Sequence, residues 1–172
     1  KIELRDIATT SLTKNQVIHA ETGGELKDIT FLYVTDVTKA EADFGVVTEV
    51  SGNSYTVLVG DKTTTVRTAV KLERGSGVEI ESSDGGQLAK SLVKTATGAG
   101  ISGYSEGRIR VGGKNYLVSD YVKIYGGRSA EEFESMSMSE VAGNDNVQQV
   151  TLYSDRLISS GGIIRVIVVK TK

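Results

Sequence analysis

Short runs of apolar and β-branched residues, broken by glycine, serine, asparagine and aspartate, recur along the whole chain. That pattern predicts short β-strands joined by tight turns. The strongest run is Ser160 to Lys170, SGGIIRVIVVK. Side chains alternate along a strand, so Ile164, Val166 and Val168 are expected on one side and Ile163, Arg165, Ile167 and Val169 on the other. Both sides are mostly apolar, which asks for a central strand with neighbours on each edge. Arg165 is expected to pack its stem and keep its head in water. The run is too short and too charged to span a bilayer.

Further strands are predicted in order. Lys1 to Ile7 and Val17 to Glu21 are weak candidates and Leu26 to Val37 is a stronger one. Gly45 to Val50 and Tyr55 to Val59 flank Ser51-Gly52-Asn53-Ser54 as a hairpin, and Gly60-Asp61 turns the chain into Lys62 to Thr68. Val78 to Glu81 alternates, and Asp84-Gly85-Gly86 leads to Leu88 to Thr95, whose apolar residues also match a helical period. Arg108 to Val111 and Lys114 to Val118 around Gly112-Gly113 form the cleanest two-residue hairpin, since glycines supply the positive φ of primed turns. Tyr121 to Tyr125 and Val147 to Tyr153 complete the set. Ser137 to Ala142 reads as one short helix, with Ser137 as N-cap, Glu140 closing a capping box and Gly143 stopping it; Ser129 with Glu132 is a rival start.

A double glycine ahead of a strand occurs three times, at Gly23, Gly85 and Gly161. The spacing is unequal, so tandem small β modules fit better than a solenoid of fixed period. With Lys39 to Asp43 as a polar connector and Thr97 to Gly103 as the most glycine-dense stretch, the chain divides into 1–40, the C-terminal part of a preceding β unit, and two β modules at 41–100 and 101–172. The fold class is all-β: small barrel-like or sandwich-like modules built from hairpins, with the one helix near 137–142. The first unit is expected to begin before Lys1, in a longer polypeptide.

Composition narrows function by exclusion. Twenty Lys and Arg against 22 Asp and Glu give a net charge of -2, which offers no basic field for a phosphate backbone, so nucleic acid is not an expected partner. There is no cysteine, hence neither a disulfide framework nor a thiolate metal site. No apolar run is long enough for direct membrane insertion. The 20 glycines and the absence of proline agree with many turns between strands.

Two motifs imitate active sites. Gly98-Ala99-Gly100-Ile101-Ser102-Gly103 satisfies G-x-G-x-x-G, but a dinucleotide needs a helix N-terminus there, and the Gly112-Gly113 hairpin follows too soon. Gly103-Tyr104-Ser105-Glu106-Gly107 satisfies G-x-S-x-G, but the single histidine, His19, lies upstream and no alternation of helix and strand surrounds Ser105. Neither catalysis nor a cofactor is expected. Carboxylates group as Glu41 with Asp43, Glu79 with Glu81, and Glu131, Glu132 and Glu134; a solvated face explains them without a metal, because no Asp-rich calcium loop is present. Tyr121, Lys123 and Tyr125 fall on one predicted strand face and are the candidate partner-binding residues, against the alternative of ordinary core packing.

GVVTEV followed by a hairpin, then RIRVGGKNYLVSDYV, then VTLYSDRLISSGGIIRVIVV, resembles the repetitive β regions of secreted, wall-anchored, S-layer-homology-domain-containing proteins of Gram-positive bacteria. The likeness covers most of Asp43 to Lys172 and is one of repeat texture. The S-layer homology module itself is helical with a TRAE-like motif, which is not found here, so attachment to wall polysaccharide is carried to no residue. The resemblance implies an extracellular, cell-wall or cell-surface location and a non-catalytic spacer or assembly segment whose partners are neighbouring domains of the same polypeptide. The alternative it leaves open is a binding module for wall glycan or a protein partner.

Overall fold

A computed structural model describes residues 17–22, 29–35, 43–83, 86–105, 107–127 and 132–172. The chain divides into two compact units, Lys1–Glu41 and Ala42–Lys172. In the first, β1 (Val17–Thr22) and β2 (Ile29–Thr35) pair antiparallel as a two-stranded sheet. Lys1 to Ile7 lies outside the described residues.

The second unit is all-β in two parts. Its first part is a closed five-stranded barrel of β3 (Asp43–Ser51), β4 (Ser54–Val59), β5 (Lys62–Arg67), β6 (Gly77–Ser83) and β7 (Gly86–Ser91), ordered β3-β4-β5-β7-β6. Hairpins make most of the ladder, and a single parallel pair, Arg67 with Leu88, closes it. Alternation fills the interior with Val47, Tyr55, Val57, Val66, Val78, Ile80 and Ala89. Leu72, from the loop between β5 and β6, plugs one end, its N–H 3.4 Å from the Tyr55 hydroxyl.

The second part is a curled sheet ordered β8-β13-β14-β11-β10-β9: β8 (Val93–Gly98), β9 (Ile101–Ser105), β10 (Arg108–Val111), β11 (Lys114–Gly127), β13 (Val147–Ser154) and β14 (Ile164–Thr171). The short β12 (Glu134–Met136) pairs with the far half of β11. The helix α1 (Met138–Val141) seats Val141 in the sheet's core, and the Gly143 N–H donates to the Ile101 carbonyl at the start of edge strand β9. Among the described residues no helix is long and apolar enough to cross a membrane.

Several sequence expectations change here. Leu88 to Thr95 is two strands: the chain breaks at Leu92, whose N–H donates to the Gly77 carbonyl and whose side chain is buried. The strand after the break, β8, pairs with β13 of the curled sheet. The join between the two parts therefore falls at Leu92 and not at 100/101. The glycine-dense stretch Thr97 to Gly103, taken as the division between modules, holds the end of β8 and the start of β9. Gly98 is small for a packing reason, since a Cβ there would sit 2.6 Å from Val111.

The strand predicted in Ser160 to Lys170 is central as expected, with β14 antiparallel to β13 and parallel to β11. Its facing is different. The ladder passes from Tyr153↔Val166 to Ser154↔Ile164, leaving Arg165 as the extra residue of a β-bulge. Ile164 consequently joins Ile167 and Val169 in the core of the curled sheet, while Val166 and Val168 turn to the barrel. A regular strand would have kept Ile164 with Val166. A third apolar layer, built from Phe44, Val46, Leu58, Leu92, Tyr125, Tyr153 and Val166, joins barrel to sheet.

Candidate functional site

The junction of barrel and sheet holds a group of buried polar side chains. Arg165 is 2% exposed, which overturns the expectation that its head is wet. Its Nε and Nη2 donate to Asp155 Oδ2 at 3.2 and 3.0 Å, and Nη1 donates to Ser119 Oγ at 3.2 Å. The guanidinium also lies 5.8 Å from the centre of the Phe44 ring, within cation–π range. The bulge is what makes this possible, because it takes Arg165 out of the alternation and aims it inward. Asp155 in turn accepts from the Ile163 N–H at 3.0 Å and so ties down the turn that feeds β14. Gly162 packs against the Arg156 and Leu157 backbone, where no Cβ could fit, and Gly161 takes φ 77°. The double glycine is thus a requirement of this turn.

Two tyrosine hydroxyls cross the junction. Tyr125 donates to the Phe44 carbonyl at 2.7 Å and accepts from the Gly60 N–H at 2.9 Å. Burial pushes its phenol up to about 12 against the partial counter-effect of the Gly60 N–H. Tyr153 donates to the Gly75 carbonyl at 2.9 Å, and burial raises its phenol as well. Its ring covers Gly77, where a Cβ would approach it to 2.7 Å.

The three candidate partner-binding residues do not share one surface. Tyr121 is half exposed and Lys123 is exposed, but Tyr125 is fully buried. The β11–β14 register jumps from Val118↔Ile164 to Lys123↔Val166, which lets residues 119–122, Tyr121 among them, bow out of the ladder; Lys123 and Tyr125 pair regularly beyond it, and only Tyr125 is covered, by the layer that joins sheet to barrel.

Ser105 ends β9 and is exposed opposite Arg108, and the chain turns through Gly107 (φ 72°) into strand β10. A nucleophile elbow needs a strand-to-helix turn at that point. The G-x-G-x-x-G stretch likewise runs from β8 into β9 with no helix to meet a phosphate. Glu79 is buried and Glu81 exposed on β6, so the two do not present a joint carboxylate face. His19 pairs through its backbone with Tyr33 in β1–β2. Glu41 and Glu131 lie outside the described residues. Among the described residues no three His, Asp or Glu side chains gather as metal ligands.

One open cleft of about 450 Å³ lies between the β8–β9 turn, the Gly112-Gly113 turn and the segment after α1. Glycine backbone, Ser102 and Asp145 contribute to its lining. Asn144 at its rim is already committed, its amide donating to the Glu140 carbonyl and its oxygen accepting from the Asn146 N–H.

No family model, curated protein or solved structure matches the chain. The arrangement of its own residues is the basis for a functional reading. What sequence reasoning missed is the Asp155–Arg165–Ser119 group, whose members stand ten and more positions apart. The signal available was the aspartate directly after Val147 to Tyr153 and the lone cation inside an apolar strand.

Proposed function

We propose that this chain is a non-catalytic structural segment, a spacer or assembly element of a bacterial cell-surface protein of the S-layer-associated kind. The observation that carries the reading is the construction of the junction. A continuous apolar layer and two tyrosine hydroxyls bound to backbone of the opposite part lock barrel and sheet into one body, and the Arg165 guanidinium, held by Asp155 within the sheet, lies over the Phe44 ring of the barrel. Such a body transmits position and load from β3 to β14 without a hinge at Leu92. Deeply placed polar groups here satisfy one another, as suits a stiff module, and are not aimed into a substrate cleft.

The test has a location arm and an activity arm. Antibodies to the chain are expected to label intact producing cells, and the purified chain is expected to turn over no ester, peptide or glycoside. Labelling that requires permeabilised cells overturns the surface reading. Robust turnover lost in Ser105→Ala overturns the structural one.

A further inference from the structure

The hairpin β1–β2 and the hairpin β13–β14 have the same register. In the second the ladder runs Gln149↔Lys170, Val150↔Val169, Thr151↔Val168, Leu152↔Ile167 and Tyr153↔Val166, skips Arg165, and closes on Ser154↔Ile164. In the first it runs Val17↔Thr35, Ile18↔Val34, His19↔Tyr33, Ala20↔Leu32 and Glu21↔Phe31, skips Thr30, and closes on Thr22↔Ile29. The order of pairs, the single skipped residue on the second strand and the closing pair all coincide. Bulges are specific devices that fix where a strand turns its faces. The connecting segments, 23–28 and 155–163, differ in length, so the equivalence lies in the strands and not in the double glycines.

Residue type follows the register. Ile18, Ala20, Ile29, Leu32 and Val34 stand at the positions of Val150, Leu152, Ile164, Ile167 and Val169, which form part of the curled sheet's core. Phe31 and Tyr33 stand at the positions of Val166 and Val168, the pair facing the barrel. A two-stranded hairpin alone is at best marginally stable in water. In the complete unit β13 is flanked by β8 and β14 by β11, whereas among the described residues β1 and β2 have only each other.

We infer that β1–β2 is the closing hairpin of another barrel–sheet unit of this same kind, and that its neighbours are a β8-like strand on β1 and a β11-like strand on β2, supplied by an upstream copy in the same polypeptide. Connectivity selects the upstream source, since β8 and β11 precede β13–β14 in the chain. A second molecule of this chain is a poor donor, because its β8 and β11 are already filled by its own β13 and β14. The inference stands on register and is independent of the surface-protein reading.

Fusing residues 43–146 ahead of residue 15 puts β1–β2 where β13–β14 would follow, and hydrogen exchange reads the result, with the native β13–β14 of the same molecule as reference. In the 172-residue chain the amides of Val17–Thr22 and Ile29–Thr35 are expected to exchange at least about 100-fold faster than the reference, and in the fusion to slow to within about tenfold of it. Leu32→Asp in the fusion should return fast exchange to that upstream unit alone. A control fusion whose upstream unit keeps its own β13–β14 shows that the joint is tolerated. Fast exchange in the hairpin fusion beside a folded control overturns the proposal. So does a hairpin already protected in the monomeric 172-residue chain, or one protected only as concentration rises, which would make a second molecule the partner.

Discussion

The barrel is laid down almost in chain order: three of its five pairings are hairpins between successive strands, and its interior is apolar throughout. The curled sheet does the opposite with its most buried strand. β14 comes last and enters between β13 and β11, meeting β11 in parallel across a long stretch of intervening sequence. Its bulge carries a buried cation. Local pairing closes early at little entropic cost, while an inserted parallel strand must wait for both neighbours. The fold is therefore more vulnerable at β14 than in the barrel. The barrel is secured by its own contacts, and the sheet is secured by one late strand whose polar residue must find Asp155.

The largest effect should therefore come from the cation and not from a barrel side chain. Arg165→Ala leaves the Asp155 carboxylate buried without its main partner, a loss expected to cost about 3–5 kcal/mol. Val166→Asp, which buries an uncompensated charge in the layer between barrel and sheet, should fall in a similar range, on the order of 3–5 kcal/mol. In contrast Val57→Ala, a simple truncation inside the barrel, should cost about 1–2 kcal/mol by loss of two methyl groups. Urea denaturation orders the three. An Arg165→Ala loss below that of Val57→Ala would mean that water replaces the guanidinium and that the bulge is no weak point.

Tyr125→Phe deletes a hydroxyl that serves two barrel backbone groups, and leaving them unpaired should cost about 1–3 kcal/mol. Its pH dependence has a definite sign. The folded phenol is raised from 10.0 to about 12, so its contribution is complete below the unfolded value and is lost as pH climbs from about 10 to about 12. Across that window the slope from this one group is about 1.4 kcal/mol per pH unit. Tyr125→Phe should flatten the alkaline fall in stability, with the remainder left to Tyr153, which is raised in the same direction. An unchanged alkaline profile would show that the phenol is not held neutral by burial.

These two regions also differ in how far the sequence reveals them. The Gly112-Gly113 turn was legible because only glycine takes successive φ values of 57° and 78° at no cost, and the barrel hairpins because apolar residues alternate with threonine and serine. The bulge at Arg165 was not legible. Ile163 to Val169 is apolar on both faces, so skipping one residue exposes nothing and leaves no trace in the pattern. The excursion at 119–122 is set by the pairing of β11 with β14, which the local pattern does not carry, so Tyr121 was placed on a face with Tyr125. Thr97 to Gly103 read as a joint by composition, although Ile101 is buried and Gly98 is required by Val111. Long-range partners decide each of these positions, and periodicity carries only local information.

The smallest expected effect lies at the helix that fastens the sheet's edge. Ser137 directs both its N–H and its hydroxyl to Glu140 Oε2 at 2.7 Å, and these bonds, the hydroxyl's first, hold the carboxyl below its ordinary value of 4.5. A depressed folded value means that the contribution is present above the unfolded pKa and is lost as pH falls through the folded one. The carboxylate is solvent-exposed, so the consequence should be local fraying of Met138–Val141 and not unfolding. An NMR titration should find the Glu140 carboxyl midpoint below 4.5, accompanied by a shift of the Ser137 amide, with barrel amides silent. Glu140→Gln should abolish that titration while leaving Val141 in the core, since its neutral amide can still accept from Ser137. A midpoint at or above 4.5 would show that the cap is open in solution, and the edge strand β9 would then depend on the Gly143–Ile101 hydrogen bond without help from the cap.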